Sequence, residues 1–425
     1  MIMDIRTTVL KKISPLKKDE DRTKKFITDL MHAAKAVTNL DVVVCGSAAK
    51  MTWLREDHDI DLFILFPHVT REELEKKGLL YGNKIIRQFR GTPVIKYAEH
   101  PYVHARIKGF DVDIVPCYRI KKGEKIKSAV DRSPLHLEYI IEKLNPGLRD
   151  DVRLLKRFMK GIGVYGSDAK NLGFSGYLCE LLVINYGRFE SVLKAVSEWD
   201  IPQVIFIELE RKINLKEEYP NQPLIIIDPV DEKRNAAAVV SAEKMLRFIG
   251  LAKSYLKKPS MGYFFPSGKK ALSEPKVNTL RQRGTKFIAL EFTKPDLVDD
   301  IVYPQVRRLL KRVESLMSSN EFKCLRCCEF IDKKVYLILE MEIWELPPVK
   351  KMTGPHIFAK QHVKEFRKKY ANAFPEENIW VAEKPREYRT AVELLQNFIK
   401  KSGKESGVPK KLASVIKIRE ILSKF

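Results

Sequence analysis

The chain has 425 residues, 44% hydrophobic and 31% charged, so it is globular and too long for one ordinary core. Its 78 Lys and Arg against 55 Asp and Glu give a formal charge of +23. This charge favours a polyanionic partner, and nucleic acid is the leading candidate. No apolar run could span a bilayer and the charged start lacks an apolar signal core, so we expect a cytoplasmic protein without a membrane partner.

Helical and strand patterns alternate over the first third of the chain. Thr70 followed by Glu73 is a capping-box pair, which marks the start of a helix. In chain order we predict helix 18–39, the strand "DVVVCGS" ending in a glycine turn, helix 49–55, strand 60–66, helix 70–77, and strands near 93–98, 103–108 and 110–116. Together they make a mixed α/β unit.

Four aspartates stand in pairs on two of these strands. Asp59 and Asp61 are two residues apart, as are Asp111 and Asp113, so each pair shares a face while apolar neighbours fill the other. A lone D-x-D is usually solvated turn chemistry, but several carboxylates on apolar strands are costly to gather without a cation. Oxygen-rich sites of this type suit Mg²⁺. Ahead of them, Gly46-Ser47 would supply N–H groups and a hydroxyl to a triphosphate. The combination fits nucleotidyl transfer.

From residue 133 to about 257 the hydrophobic period is helical throughout. One helix carries a nearly continuous basic face, which is either solvated or binds phosphate; its members are Arg149, Arg153, Lys156, Arg157 and Lys160. The segment "GIGVYG" (161–166) matches G-x-G-x-x-G but follows a helix instead of a strand, so we reject a dinucleotide fingerprint.

A Pro/Gly/Ser/Lys-rich stretch at 257–276 predicts a linker. The pattern beyond it gives strand 286–293, helix 298–319, strands 323–331 and 333–342, helix 358–371 and strand 377–382. This βαββαβ order predicts a ferredoxin-like unit. The residues from Lys400 onward are rich in Lys and Arg and predict a basic terminal helix.

The motifs "GS", "DIDLFILF" and "DVDIVPCY" resemble those of the polymerase-β-type nucleotidyltransferase superfamily. Further sequence segments, spread over nearly the whole chain, resemble those of the archaeal, class I CCA-adding enzymes. They are "YAEHPYVHARI", "SPLHLEYI", "GFSGYLCELL", "DPVDEKRNAAA" and "KKMTGPHIFAKQHVKEF". The class II R-R-D motif is not seen, and Asp59 stands where the family often has Glu. The resemblance implies an α/β multidomain fold with a nucleotidyltransferase head (1–132), a helical neck domain (133–257) and a ferredoxin-like C-terminal domain with a basic helical tail (258–425).

The resemblance also implies residue roles. Asp59, Asp61 and Asp113 would be the catalytic carboxylates that bind two Mg²⁺ ions. The nucleotide would be bound by Gly46, Ser47, Lys50, His136, Lys156, Tyr165 and Arg234, with Arg234 at the base edge; tRNA would be bound by His100, Arg153 and Arg157. From the residues alone, His136 is equally compatible with a core-edge position, Tyr165 with a helix cap and Arg234 with a surface charge.

The function that the resemblance implies is template-independent addition of CCA to tRNA 3′ ends, and their repair, from CTP and ATP. The acceptor stem and 3′ end of tRNA would then be the partner, and a homodimer stays open. Two alternatives remain: another nucleotidyltransferase of the superfamily, such as a poly(A) polymerase, or a non-catalytic RNA-binding protein.

Overall fold

The computed structural model describes residues 2–97, 99–121, 123–208, 214–267, 274–401 and 416–421. The chain forms two compact units, Met1–Gly268 and Lys269–Phe425. The finer domain boundary at 132/133 falls inside the first unit and stays a prediction, as does the boundary at 257/258. Among the described residues, no helix is both long and apolar enough to cross a membrane.

The first part of unit one is built on a five-stranded sheet. Its helices are α1 (Ile2–Ile13), α2 (Lys17–Thr38), α3 (Gly46–Lys50) and α4 (Arg71–Gln88). Its strands are β1 (Asp41–Cys45), β2 (Asp59–Phe66), β3 (Val94–Tyr97), β4 (Pro101–Ile107) and β5 (Phe110–Tyr118). The strand order is β1-β2-β5-β4-β3, with β2 and β5 parallel and the other neighbours antiparallel. Helices α2 and α4 cover the apolar face of this sheet.

Three helices of this part differ from the prediction, and the first of them, α1, was not predicted at all. Helix α3 occupies 46–50 instead of 49–55, because Met51 adopts a left-handed conformation (φ 61°) and its N–H bonds back to Ala48 and Ser47. Helix α4 begins after Thr70, whose side chain accepts from the Glu73 N–H as predicted, but it continues past residue 77. The helix continues through Gly78, where a glycine is required because a side chain would collide with Pro116 of β5.

The second part of unit one is largely but not wholly helical. Its helices are α5 (Arg132–Lys143), α6 (Arg149–Gly161), α7 (Gly176–Tyr186), α8 (Phe189–Ser197), α9 (Leu215–Glu218) and α10 (Ala242–Lys257). It also contains a sheet, ordered β6-β7-β8, formed by β6 (Gln203–Phe206), β7 (Leu224–Asp228) and β8 (Asp231–Asn235). The prediction of helix throughout was therefore wrong here, since a short apolar run such as "LIIID" suits a buried strand as well as a helix.

The described residues of unit two form two sheets. Its helices are α11 (Glu274–Arg281), α12 (Asp299–Ser319), α13 (Lys360–Lys369) and α14 (Ala391–Lys400). Its strands are β9 (Lys286–Thr293), β10 (Lys323–Ile331), β11 (Lys334–Ile343), β12 (Val349–His356), β13 (Phe374–Glu376), β14 (Ile379–Pro385) and β15 (Lys417–Ile421). The sheet orders are β10-β11-β9-β15 and β12-β14-β13.

The βαββαβ prediction holds for the four-stranded sheet, but its second half comes from other segments than expected. Helix α14 and strand β15 complete it, with β15 antiparallel to β9. The predicted helix 358–371 and strand 377–382 correspond to α13 and β14. Strand β14 lies in the separate three-stranded sheet, and α13 packs against strand β12 of that sheet. The prediction of a basic terminal helix is wrong for residues 417–421. They form strand β15, in which Ile418 packs on the core of this unit. Residues 402–415 and 422–425 of that tail lie outside the described residues.

Candidate active site

The paired aspartates lie side by side on the two parallel strands β2 and β5. Asp61 is the register partner of Asp113, and Asp59 is the partner of Asp111. Burial, followed by the negative charges of Asp113 and Asp59, raises the pKa of Asp61 to about 6. Burial and the neighbouring carboxylates also raise the pKa of Asp59. The strand register therefore collects like charges, which the nearby Lys160 and Lys50 offset only in part.

The donor chemistry of these carboxylates fits a divalent cation such as Mg²⁺, which prefers oxygen ligands. On the neighbouring strand β4, His104 is the register partner of Asp113, and its Nδ1 lies 2.6 Å from Asp113 Oδ1. Within the described parts of the chain, no group of three or more His, Cys, Asp or Glu side chains is already arranged around one metal position. One oxygen of Asp113 is thus held by His104, while Asp59 and Asp61 supply the uncompensated charge.

Gly46 brings the backbone close to Asp61. It follows β1 directly and has a φ of +73°, a conformation that other residues rarely adopt. A side chain at this position would collide with the Asp61 carboxylate. The Gly-Ser pair recognised in the sequence is therefore a close-approach turn beside the strand carboxylates.

A cavity of about 290 Å³ lies next to this turn. Seven of the residues predicted to belong to the site line it: Gly46, Ser47, Lys50, Asp61, His136, Lys156 and Tyr165. The other lining residues are Cys45, Phe63, Ser133, Gly176, Tyr177 and Glu180. Asp59, Asp113 and Arg234 are not among the lining residues. The structure thus gathers residues from both parts of unit one around one polar cavity.

Two lysines at the cavity share one fully buried carboxylate. Glu180 of α7 accepts hydrogen bonds from Lys50 Nζ (2.7 Å) and Lys156 Nζ (3.3 Å), and from the Thr52 hydroxyl (2.7 Å). Burial alone would raise the pKa of Glu180, but the two ammonium charges and these hydrogen bonds outweigh it and lower the pKa to about 2. Sequence reasoning missed Glu180 and Thr52. A lone carboxylate within the apolar "GYLCELLVINY" was the available signal, since a buried charge requires a partner.

A second buried carboxylate connects His136 to Arg234. Asp228, at the end of β7, lies 2.9 Å from His136 Nε2 and accepts from the Tyr177 hydroxyl at 3.1 Å. It also accepts from the Arg234 guanidinium on β8. Burial alone would raise the pKa of Asp228, but His136 and Arg234 lower it to about 2. Burial lowers the pKa of His136, whose ring stacks on Tyr177 with centroids 3.9 Å apart.

Arg234 therefore lies on a strand and is anchored through Asp228, so it is not simply a surface charge. Asp228 and Tyr177 were missed. The signal for Asp228 was an acidic residue closing the apolar run "LIIID".

Two of the three residues predicted to bind tRNA are buried. His100 is 3% exposed with Nδ1 3.2 Å from Glu75, and Arg153 donates to the backbone carbonyls of Met51 and Trp53. These positions are at odds with a tRNA contact, because His100 is buried beside Glu75 and the basic face of α6 packs Arg153 on the 51–57 segment. The reading of that face as solvated is likewise wrong for Arg153 and for Lys156, which lines the cavity.

Arg157, the third residue predicted to bind tRNA, is partly exposed. Its Nε donates to the carbonyl of Phe264 and its guanidinium pairs with Glu56.

Three family models match the chain in succession. The nucleotidyltransferase domain matches residues 24–136, the second domain of tRNA nucleotidyltransferase 150–265, and the C-terminal domain of the CCA-adding enzyme 283–424. The CCA-adding enzyme of Methanocaldococcus jannaschii is 38% identical over 422 residues, covering 96% of this chain and 93% of that protein. The CCA-adding enzyme of Methanosarcina mazei is 38% identical over 408 residues, covering 92% and 88%.

Among solved structures, a poly(U) polymerase superposes with a TM-score of 0.48 at 15% identity, covering 62% of this chain and 96% of that one. This chain belongs to the family of CCA-adding enzymes, with the nucleotidyltransferase domain as its head.

Proposed function

We propose that this protein adds CCA to the 3′ ends of tRNA, and repairs them, from CTP and ATP without a nucleic-acid template. The observation that carries the proposal is the identity of 38% to a CCA-adding enzyme over 96% of the chain. The C-terminal family model supports the same substrate, because it covers a region beyond the catalytic head. A poly(A) polymerase and a non-catalytic RNA-binding protein are the rival readings that the experiment below separates.

In the proposed reaction, the 3′-hydroxyl of the tRNA attacks the α-phosphorus of the nucleotide. A new P–O bond forms there, and the bond to the β-phosphate breaks and releases pyrophosphate. Enzymes of this superfamily use nucleotide substrates and divalent metal ions. Asp59, Asp61 and Asp113 are the residues that would bind two Mg²⁺ ions, which when bound activate the attacking hydroxyl and stabilise charge on the phosphate oxygens.

The cavity supports the binding of a triphosphate. Gly46 keeps the backbone bare beside Asp61, Ser47 offers a hydroxyl, and Lys50 and Lys156 bring two ammonium groups. Cationic donors at fixed positions stabilise phosphoryl charge without reorganising during the reaction. Tyr165, whose pKa is raised by burial, lines the same cavity and would contact the nucleotide as a neutral phenol.

Arg234 would read the base. Its guanidinium is 33% exposed and is held by Asp228, which also holds His136. Cytosine and adenine present an amino group beside an acceptor ring nitrogen, whereas uracil and guanine present a carbonyl and an N–H. A fixed guanidinium can donate to the ring nitrogen of the first pair and meets the N–H of the second pair unfavourably.

The formal charge of +23 supports binding of the tRNA phosphate backbone, and the proposed reaction requires the acceptor stem and 3′ end at the site. Arg157 is retained as a predicted tRNA contact, whereas the buried His100 and Arg153 are not. A homodimer and a cytoplasmic location remain predictions from the sequence.

The experiment uses purified protein, Mg²⁺, each nucleoside triphosphate alone, and tRNA transcripts that lack CCA or that end in CC. We expect CTP alone to extend the first transcript by two residues, and ATP alone to extend only the second by one. A run of A residues from ATP alone would identify a poly(A) polymerase. Binding of tRNA with no extension by any nucleotide would identify a non-catalytic protein. Either result would refute the proposal.

A further inference from the structure

Glu180 joins residues that are far apart in the chain. It lies in the apolar helix α7 with 1% of its side chain exposed. Lys50 and Thr52 reach it from the segment that follows β1, and Lys156 reaches it from α6. The side chains of Lys50 and Lys156 are only 8% and 2% exposed, so solvent does little to solvate either ammonium group.

The charges of this group depend on one another. Two ammonium groups face one carboxylate, so the group as a whole carries one positive charge beside the cavity. Lys156 Nζ also donates to the Thr52 carbonyl at 3.2 Å and lies 3.1 Å from its hydroxyl. A buried charge that loses its counter-charge is strongly destabilised. Glu180 is therefore the group whose loss would leave both ammonium groups without their shared acceptor.

The path of the Lys156 side chain is defined on its other side by Gly176, the first residue of α7. A Cβ added to Gly176 would lie 3.4 Å from Lys156 Cε and 3.1 Å from the Tyr165 hydroxyl. Both distances are contacts at or below the usual van der Waals range, so the bare helix start leaves just enough room. Lys156 thus packs against Gly176, donates to Glu180 and Thr52, and lines the cavity.

We propose that Glu180 is a positioning residue that holds the ammonium groups of Lys50 and Lys156 where the triphosphate of the incoming nucleotide binds. The inference rests on the proposed function, because it places the nucleotide in this cavity. Glu180 acts through the lysines and touches neither base nor sugar. Its contribution is consequently the same for every nucleoside triphosphate, in contrast to Asp228, which holds Arg234.

The direction of the effect separates positioning from simple charge. Glu180→Gln removes a negative charge, so long-range attraction alone would make the cavity bind anions more tightly. Loss of positioning makes it bind them more weakly, because the lysines lose a shared charge-assisted hydrogen-bond acceptor. Hydrogen bonds to charged groups of this kind correspond to roughly ten- to a hundredfold in a binding constant.

The test is calorimetric titration of the full-length parent and the Glu180→Gln variant with CTP, with UTP and with pyrophosphate. We expect all three dissociation constants to rise by a common factor of about ten to a hundred. Asp151→Asn is the matched control, because Asp151 is another buried carboxylate of the same unit. It pairs with Arg6 and accepts from the Phe189 N–H, away from the cavity. Its variant should bind all three ligands like the parent.

Unchanged or tighter binding by Glu180→Gln would overturn the inference, as would an equal loss in Asp151→Asn, which would indicate general loosening. If Glu180→Gln does not fold, Thr52→Val takes its place, and it should weaken binding several-fold while Thr52→Ser restores it. Parental affinity in Thr52→Val would then overturn the inference. Titration requires no transfer to tRNA, so a failure of CCA addition alone would refute the proposed function and not the role of Glu180.

Discussion

Replacing Gly46 by alanine should damage the active site in a way that the structure isolates from ordinary backbone strain. Gly46 has a φ of +73°, and an added Cβ would overlap the Asp61 carboxylate. Gly163 has the same φ of +73°, but nothing lies within 4 Å of its added Cβ. Gly163→Ala therefore carries the backbone strain without the collision and is the matched control.

The expected magnitudes follow from this difference. A left-handed conformation costs a non-glycine residue about 1–2 kcal/mol, so both variants should lose about that much unfolding free energy. In Gly46→Ala the Asp61 carboxylate or the turn must also move. A displacement of about 1 Å at a reacting centre lowers the rate by roughly a hundredfold. We therefore expect kcat for CTP addition to fall at least that far in Gly46→Ala and to stay near the parental value in Gly163→Ala.

The assay combines urea unfolding with steady-state addition of CTP to a tRNA that lacks CCA. Because both variants carry the same backbone strain, the difference between their kcat values reports the effect of the collision with Asp61. If both variants keep the same kcat, the close approach of residue 46 to Asp61 does not govern activity and the reasoning is refuted. Equal stability of Gly46→Ala and the parent would refute the strain argument.

Three further predictions concern other charged groups. Asp61→Asn and Asp113→Asn keep the side-chain volume but remove a negative charge, so Mg²⁺-dependent turnover should fall by orders of magnitude. Near-parental rates in a single-nucleotide assay would remove them from the catalytic role. Arg234→Ala should lower kcat/KM for CTP and ATP more than for UTP, narrowing selectivity by roughly ten- to a hundredfold. An unchanged CTP-to-UTP ratio would contradict base reading by Arg234. Glu180 has a pKa of about 2 in the folded protein against an ordinary 4.5. Because this pKa is lowered, its stabilisation is fully present above pH 4.5 and is lost as the pH falls towards 2, about 3 kcal/mol in all. Urea midpoints should thus fall less between pH 5 and pH 3 in Glu180→Gln than in the parent, and equal falls would count against this linkage.

Local patterns sufficed for the strand carboxylates. The alternation of Asp59 and Asp61 with apolar neighbours fixes their common face, because successive strand residues point to opposite sides. The same holds for Asp111 and Asp113, and the parallel register then sets the two pairs side by side. The family resemblance pointed to Ser47 and six other residues that line the cavity, whose roles stay predictions.

The segments against which a helix face or a strand packs could not be predicted from the sequence pattern. Helical spacing shows that Arg153 and Lys156 share a face of α6, but not that this face meets the 51–57 segment instead of solvent. Short apolar segments were ambiguous for the same reason. "LIIID" became β7, and the basic Lys417–Ile421 became a strand because β9 offers it a free edge in unit two. Tertiary contacts override local preference in such segments.

The sequence by itself determined the family and the strand carboxylates, which depend on local motifs, and its resemblance to the family indicated seven of the thirteen residues around the cavity. The tertiary structure alone decided which charges pair. Glu180 meets Lys50 across 130 positions, and Asp228 meets His136 across 92. The strength of an ion pair depends on distance in space and on burial, and both are set by how distant segments pack. A lone acidic residue in an apolar run therefore indicates that a charged partner exists, and only the tertiary structure shows which residue that partner is.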